Sequence, residues 1–139
     1  RPYRVGICHC LDCRKHHGTL FHASAIFPQD AVTVDGETRD YAGRFFCPRC
    51  GSSVFSRSAD EVEVHLGSLD APDQLQPSYE LWTLRRESWL PPFPLKRRYE
   101  RDRESTGRSE DLWRLRIAAL TVSNDLRLVA AKQATIGDR

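Results

Sequence analysis

The 139-residue chain carries 21 basic and 19 acidic side chains, a formal charge of +2, which is too mild to argue for nucleic acid as a partner. Its single basic cluster, Lys96-Arg97-Arg98, is diluted by Glu100, Asp102 and Glu104. Apolar residues at 40% and charged residues at 29% fit one globular cytosolic domain with a hydrophobic core, and no apolar run is long enough to span a bilayer as a helix.

In chain order, Arg4 to Cys8 reads as a short strand with Val5 and Ile7 apolar, delivering Cys8 and then Cys10. Residues 12 to 17 follow as a brief helix, with Asp12 as its cap and Gly18 as a left-handed stop. The run Cys8-His9-Cys10-Leu11-Asp12-Cys13 therefore sits on a strand-to-helix elbow. The positive helix start, with Arg14 and Lys15, favours thiolate at Cys10 and Cys13 and attracts an anionic ligand.

Leu20 to Phe27 is expected as a strand ending at Pro28, and Ala31 to Val34 as another. Asp35-Gly36 signals a two-residue hairpin into a partner strand through Tyr41. Phe45 and Phe46 lead into a Cys47-Pro48-Arg49-Cys50-Gly51 turn, and Val54–Arg57 and Glu61–Leu66 form further strands. In the second of these Val62, Val64 and Leu66 face inward, while Glu61, Glu63 and His65 face outward.

Asp70 to Asp73 reads as a turn, Pro77 to Trp82 as an edge strand, and Trp89 to Pro94 as an aromatic, proline-stiffened loop. Trp82, Trp89 and Phe93 either wall a pocket or cap a sheet edge, with packing favoured. Beyond Arg103, Ser109-Glu110-Asp111 predicts a helix over Leu112 to Val122, and Ser123-Asn124-Asp125 a second short one through Lys132. The expected fold is thus mainly β, with a short helix after the first cysteines and a helical tail over 104–139. The chain opens on Arg1 and contains no Met, which predicts that its natural N-terminus lies upstream.

Five cysteines, grouped as a triplet and a distant pair, favour metal ligation over a disulfide framework. On an extended segment Cys8 and Cys10 share a face, and a turn into a helix brings Cys13 beside them. Three thiolates hold Zn²⁺ tetrahedrally at about 2.3 Å and leave a fourth position open, as in catalytic rather than structural sites. His9, His16 and His17 are candidate proton shuttles or a fourth ligand, although neighbouring histidines on a surface helix are more often solvated.

The run Cys8-His9-Cys10-x-x-Cys13-Arg14-Lys15-x-x-Gly18, the Phe46-Cys47-Pro48-x-Cys50-Gly51 knuckle, His65-Leu66-Gly67-Ser68-Leu69-Asp70 and Glu80-Leu81-Trp82 together resemble the glutathione-dependent formaldehyde-activating enzyme family, to which centromere protein V belongs. The resemblance runs over roughly residues 4 to 103. It implies a zinc-binding domain over 1–103 with a mostly antiparallel, Mss4-like β fold and two zinc sites. Cys8, Cys10 and Cys13 fall on the catalytic zinc triplet, and Cys47 and Cys50 on half of the structural site. The other half comes, in the family, from an upstream cysteine pair that this chain lacks.

The implied reaction adds the thiol of glutathione to formaldehyde, or joins a related thiol and carbonyl, as a carbon–sulfur lyase run in the synthetic direction. Arg14 and Lys15 are expected to hold glutathione carboxylates. The rival reading is a non-catalytic, zinc-stabilised binding module, in which Cys10, Cys13, Cys47 and Cys50 close one ribbon and leave Cys8 spare. Chromatin binding of the centromere protein V type is a weaker third reading.

Overall fold

A computed structural model describes residues 1–103 and 127–129. The strands are β1 (Arg4–Cys8), β2 (His22–Pro28), β3 (Thr33–Asp35), β4 (Arg39–Tyr41), β5 (Arg44–Phe46), β6 (Ser53–Arg57), β7 (Glu61–His65), β8 (Tyr79–Leu81), β9 (Arg97–Arg98) and β10 (Arg127–Val129), with one helix, α1 (Leu11–His17). Among the described residues, eight strands make one sheet in the order β4-β5-β6-β7-β2-β1-β8-β9, and β10 pairs with β3 in a second. Pairing is antiparallel from β4 across to β1 and parallel from β1 through β8 to β9. The fold is mainly β, as its patterning implies.

The two-residue side-chain period divides this sheet into two faces of different chemistry. Val5 pairs with Ala25, Ala25 with Val64, Val64 with Phe55 and Phe55 with Phe45, so one register row runs apolar across five strands. Phe27, Val32, Val54 and Val62 complete the core with this row, and the Phe45 and Phe55 rings stack with centroids 4.4 Å apart. Fully burying a ring such as Phe27 or Phe55 contributes about 2–3 kcal/mol.

The alternate residues make a polar row. Tyr79 lies beside Gly6, Gly6 beside Ser24 and Ser24 beside His65, while Cys8 sits between Leu81 and His22. A Cβ at Gly6 would lie 2.3 Å from the Tyr79 ring, so only glycine lets β8 close on β1.

Several local expectations give way to longer-range pairing. Asp35-Gly36 does not close a hairpin, because β3 pairs with β10 and β4 pairs with β5. The two-residue turn is Ala42-Gly43, whose φ values of 51° and 76° place both residues in the left-handed region that a type I′ hairpin requires. β8 is not an edge strand, since β9 lies outside it. The cap of α1 is Cys10 rather than Asp12: the Cys10 Sγ accepts from the Cys13 backbone N–H at 3.4 Å, and Asp12 falls within the first turn. Gly18 does close the helix, at φ 61°.

The tail helix over Leu112 to Val122 lies outside the described residues. Within the second expected helix, residues 127–129 are strand, because the open edge of β3 offers Arg127–Val129 a backbone partner that overrides weak local helix preference. Among the described residues no helix is long and apolar enough to cross a membrane.

Candidate functional site

The three thiols of the first cysteine group converge. Each Sγ of Cys8, Cys10 and Cys13 lies within 4.8 Å of the other two. Tetrahedral zinc at about 2.3 Å from each sulfur would set the sulfurs roughly 3.8 Å apart, so the donors are close to the spacing such an ion needs. The convergence is built locally. β1 ends at Cys8, Cys10 caps the helix and Cys13 is its third residue, the pair of positions that N-capping brings together.

The Cys13 thiol, hydrogen-bonded to the Cys8 sulfur, is the main influence on Cys8; burial opposes it, and the Cys10 backbone N–H and thiol assist, leaving Cys8 at about 6. Burial pushes Cys10 up, and Cys13 is raised by its bond to Cys8 and then by burial. The metal-free group therefore sheds one proton easily and keeps the others for release to a metal.

His9 points away from these sulfurs. Its Nε2 meets Glu80 Oε1 at 2.7 Å, and the two residues are 0% and 1% exposed. Phe21 and Phe93 pack on its ring, with centroids 5.9 and 6.4 Å away, and the guanidinium Nε atoms of Arg86 and Arg98 each approach Glu80 to 3.4 Å. The residue between two candidate ligands is thus a buried anchor, not a solvated histidine. Part of the basic cluster near residue 98 serves the same anchor.

Beside the thiols lies a cavity of about 310 Å³ lined by Cys10, Leu11, Asp12, Trp82, Arg85 and Asp102. Trp82 reaches it in a left-handed conformation, φ 57° and ψ 40°, which is rare for a bulky residue and is held by its backbone N–H bond to the Arg101 carbonyl. Arg14 donates to the Arg85 carbonyl at 2.6 Å and pairs with Glu87, so it grips the segment that carries Arg85. Lys15 is exposed, one helical turn beyond Leu11. Trp89 is 68% exposed and lines neither this cavity nor the one described next.

A second cavity, about 460 Å³, opens past the other end of α1. His65 does not face solvent as its alternation suggested, because α1 folds back over that face of the sheet. His17 stacks on His22 with centroids 3.9 Å apart, His65 stands edge-on to both, and His16 Nε2 reaches Ser53 Oγ at 2.8 Å. Burial raises the Glu63 carboxyl, but the His22 imidazole 3.3 Å away and the Ser24 hydroxyl outweigh it and hold Glu63 at about 2. Sequence reasoning named His16 and His17 only as candidates beside the thiols and Glu80 only as part of a motif; it missed Arg85 and the grouping of His17 with His22 and His65, residues far apart along the chain, at which only two-residue alternation with apolar neighbours hinted.

Burial, reinforced by neighbouring imidazoles, holds His17 at about 3 and His65 at about 4. In the unfolded chain both take up protons near pH 6.5, so between that pH and about 4 the unfolded state binds more protons and stability falls as pH is lowered. In chelator, the urea midpoint is expected to drop from pH 7 to pH 4, with buried His65 alone contributing on the order of 3 kcal/mol. A midpoint independent of pH across that window would contradict the burial of these rings.

The second cysteine pair stands apart. Cys47 is buried and Cys50 exposed, and Gly51, at φ 75°, closes the turn by donating its N–H to the Cys47 carbonyl. The backbone N–H groups of Arg49 and Cys50 hold the Cys47 thiol below its ordinary value. Among the described residues, no metal-holding group of three or more includes Cys47 or Cys50, so the four-cysteine ribbon of the rival reading is not assembled.

A family model described as glutathione-dependent formaldehyde-activating enzyme matches residues 1–85 of the chain, a span that includes both cysteine groups, α1 and Arg85. No curated protein matches it.

Proposed function

Because the chain belongs to the glutathione-dependent formaldehyde-activating enzyme family, we propose that it joins the thiol of glutathione to formaldehyde at the Cys8, Cys10 and Cys13 site. In this reaction a carbon–sulfur bond forms, the carbonyl π bond opens, and the thiol proton ends on the former carbonyl oxygen, giving S-hydroxymethylglutathione. The observation that carries the reading is the convergence of three thiols, one of which, Cys10, lines a cavity bearing both a cation and acids.

Cys8, Cys10 and Cys13 would hold the metal, taken as zinc. Bound there, zinc supplies the positive charge that keeps an incoming thiol as the nucleophilic thiolate at neutral pH. The chain's own residues provide the rest. Arg85 pairs with a glutathione carboxylate, Asp102 receives the amino group, and Trp82 with Leu11 walls off the reacting carbon from bulk water. Arg14 positions Arg85 through its carbonyl and Glu87, and Lys15, one helical turn beyond Leu11, would meet the second carboxylate.

Arg85→Ala tests the cavity. It is expected to raise the KM for glutathione about tenfold, with kcat little changed, because a charge-assisted contact made equally in ground and transition states is lost. An unchanged KM would remove Arg85 from the binding site. A protein in which no metal accelerates the exchange, yet which stays folded, would instead fit the binding-module reading.

A further inference from the structure

The cavity past the end of α1 holds chemistry that thiol addition does not use. His17 comes from the last turn of α1, His22 from the first residue of β2 and His65 from the last residue of β7. One ring nitrogen of each lies within 4.8 Å of the other two, and His22 and His65 are 5% and 3% exposed. The His22 Nε2 is buried and makes no hydrogen bond; its nearest carboxylate, Glu63, lies 3.3 Å away but off line. We propose that His17, His22 and His65 form a metal site of their own, for a borderline divalent ion such as Zn²⁺ or Co²⁺, with an open position facing the cavity.

Three imidazoles suit such ions better than Mg²⁺ or Ca²⁺, which prefer oxygen donors. Three protein ligands beside a cavity leave room for a fourth, exchangeable one. Imidazole binds such ions in its neutral form, which the burial of the His65 ring favours. The surroundings suit a bound cation: the Ser53 and Ser56 hydroxyls lie 3.1 and 3.2 Å from the two nitrogens of His65, as partners behind a metal-bound imidazole do, and the Glu63 carboxylate places negative charge 3.3 Å from the His22 Nε2. An ion would take the place of one serine hydroxyl. The His17 ring would also turn out of its stack on His22, which its half-exposed place at the helix end permits.

The site is separate from the thiols, sharing no residue with them, although Cys8 and His22 are cross-strand partners on the same face. The test is a Zn²⁺ titration of the full chain followed by NMR of the histidine ring nitrogens. At saturation the rings of His17, His22 and His65 are expected to give metal-bound signals while His9 gives none, and His22→Gln is expected to weaken this binding more than about tenfold. If the three rings keep their neutral-imidazole signals at saturating zinc, or only one or two of them respond, the proposal is overturned. The wild-type spectrum decides this even if His22→Gln does not fold.

Discussion

Cys10→Ser is expected to reduce the exchange of formaldehyde with glutathione to the rate of the uncatalysed mixture while leaving the fold intact. Two roles meet at this residue, and serine separates them. As the cap of α1, Cys10 accepts the Cys13 backbone N–H through its sulfur, and serine is among the best residues for that position. As a metal donor, serine fails at neutral pH, because its hydroxyl does not ionise as a thiol does. Thermal denaturation of the metal-free variant should therefore match the metal-free wild type to within about 1 kcal/mol. Activity retained in Cys10→Ser would show that the thiol group is not the reacting centre; a collapse in metal-free stability would show that the sulfur is mainly structural.

Glu80→Ala is expected to cost about 3–5 kcal/mol, read as a shift in urea midpoint. Its carboxylate is buried against His9 at 2.7 Å with Arg86 and the half-exposed Arg98 beside it, so truncation leaves the His9 ring and the Arg86 Nε unpaired where water does not reach. Against a total stability of roughly 5–15 kcal/mol for a domain, that loss is large. Glu80→Gln keeps an oxygen for His9 and should cost less. The anchor also matters to chemistry: His9 lies between Cys8 and Cys10, so releasing it loosens two of the three sulfurs, and the alanine variant should bind zinc more weakly than the glutamine one. A loss below about 1 kcal/mol in Glu80→Ala would mean that the buried pair contributes little beyond what its removal exposes to water.

The parts of the molecule legible in the sequence are those set by neighbours along the chain. Cys8, Cys10 and Cys13 converge because the helix cap and the third helix residue lie two and five residues beyond the strand end at Cys8, and Gly18 stops α1 by its own conformational freedom. The inward set Val62 and Val64 follows from alternation alone. Distance in sequence hid the rest. Asp35-Gly36 is a good local hairpin signal that loses to the pairing of β4 with β5, and Ala42-Gly43 turns the chain despite the weaker signal of alanine. His65 looks solvent-facing until α1 covers it, and Glu80 looks like a surface acid until β8 inserts between β1 and β9. Arg85, 71 residues from Arg14, becomes part of the site only through that contact.

The zinc-loaded full chain, added to an equilibrated mixture of glutathione and formaldehyde and followed by exchange NMR, tests the central claim most directly. Faster interconversion of free and hydroxymethylated glutathione than in the protein-free mixture, lost in Cys10→Ser, is the predicted result. An interconversion rate identical with and without the folded, zinc-loaded protein would contradict it.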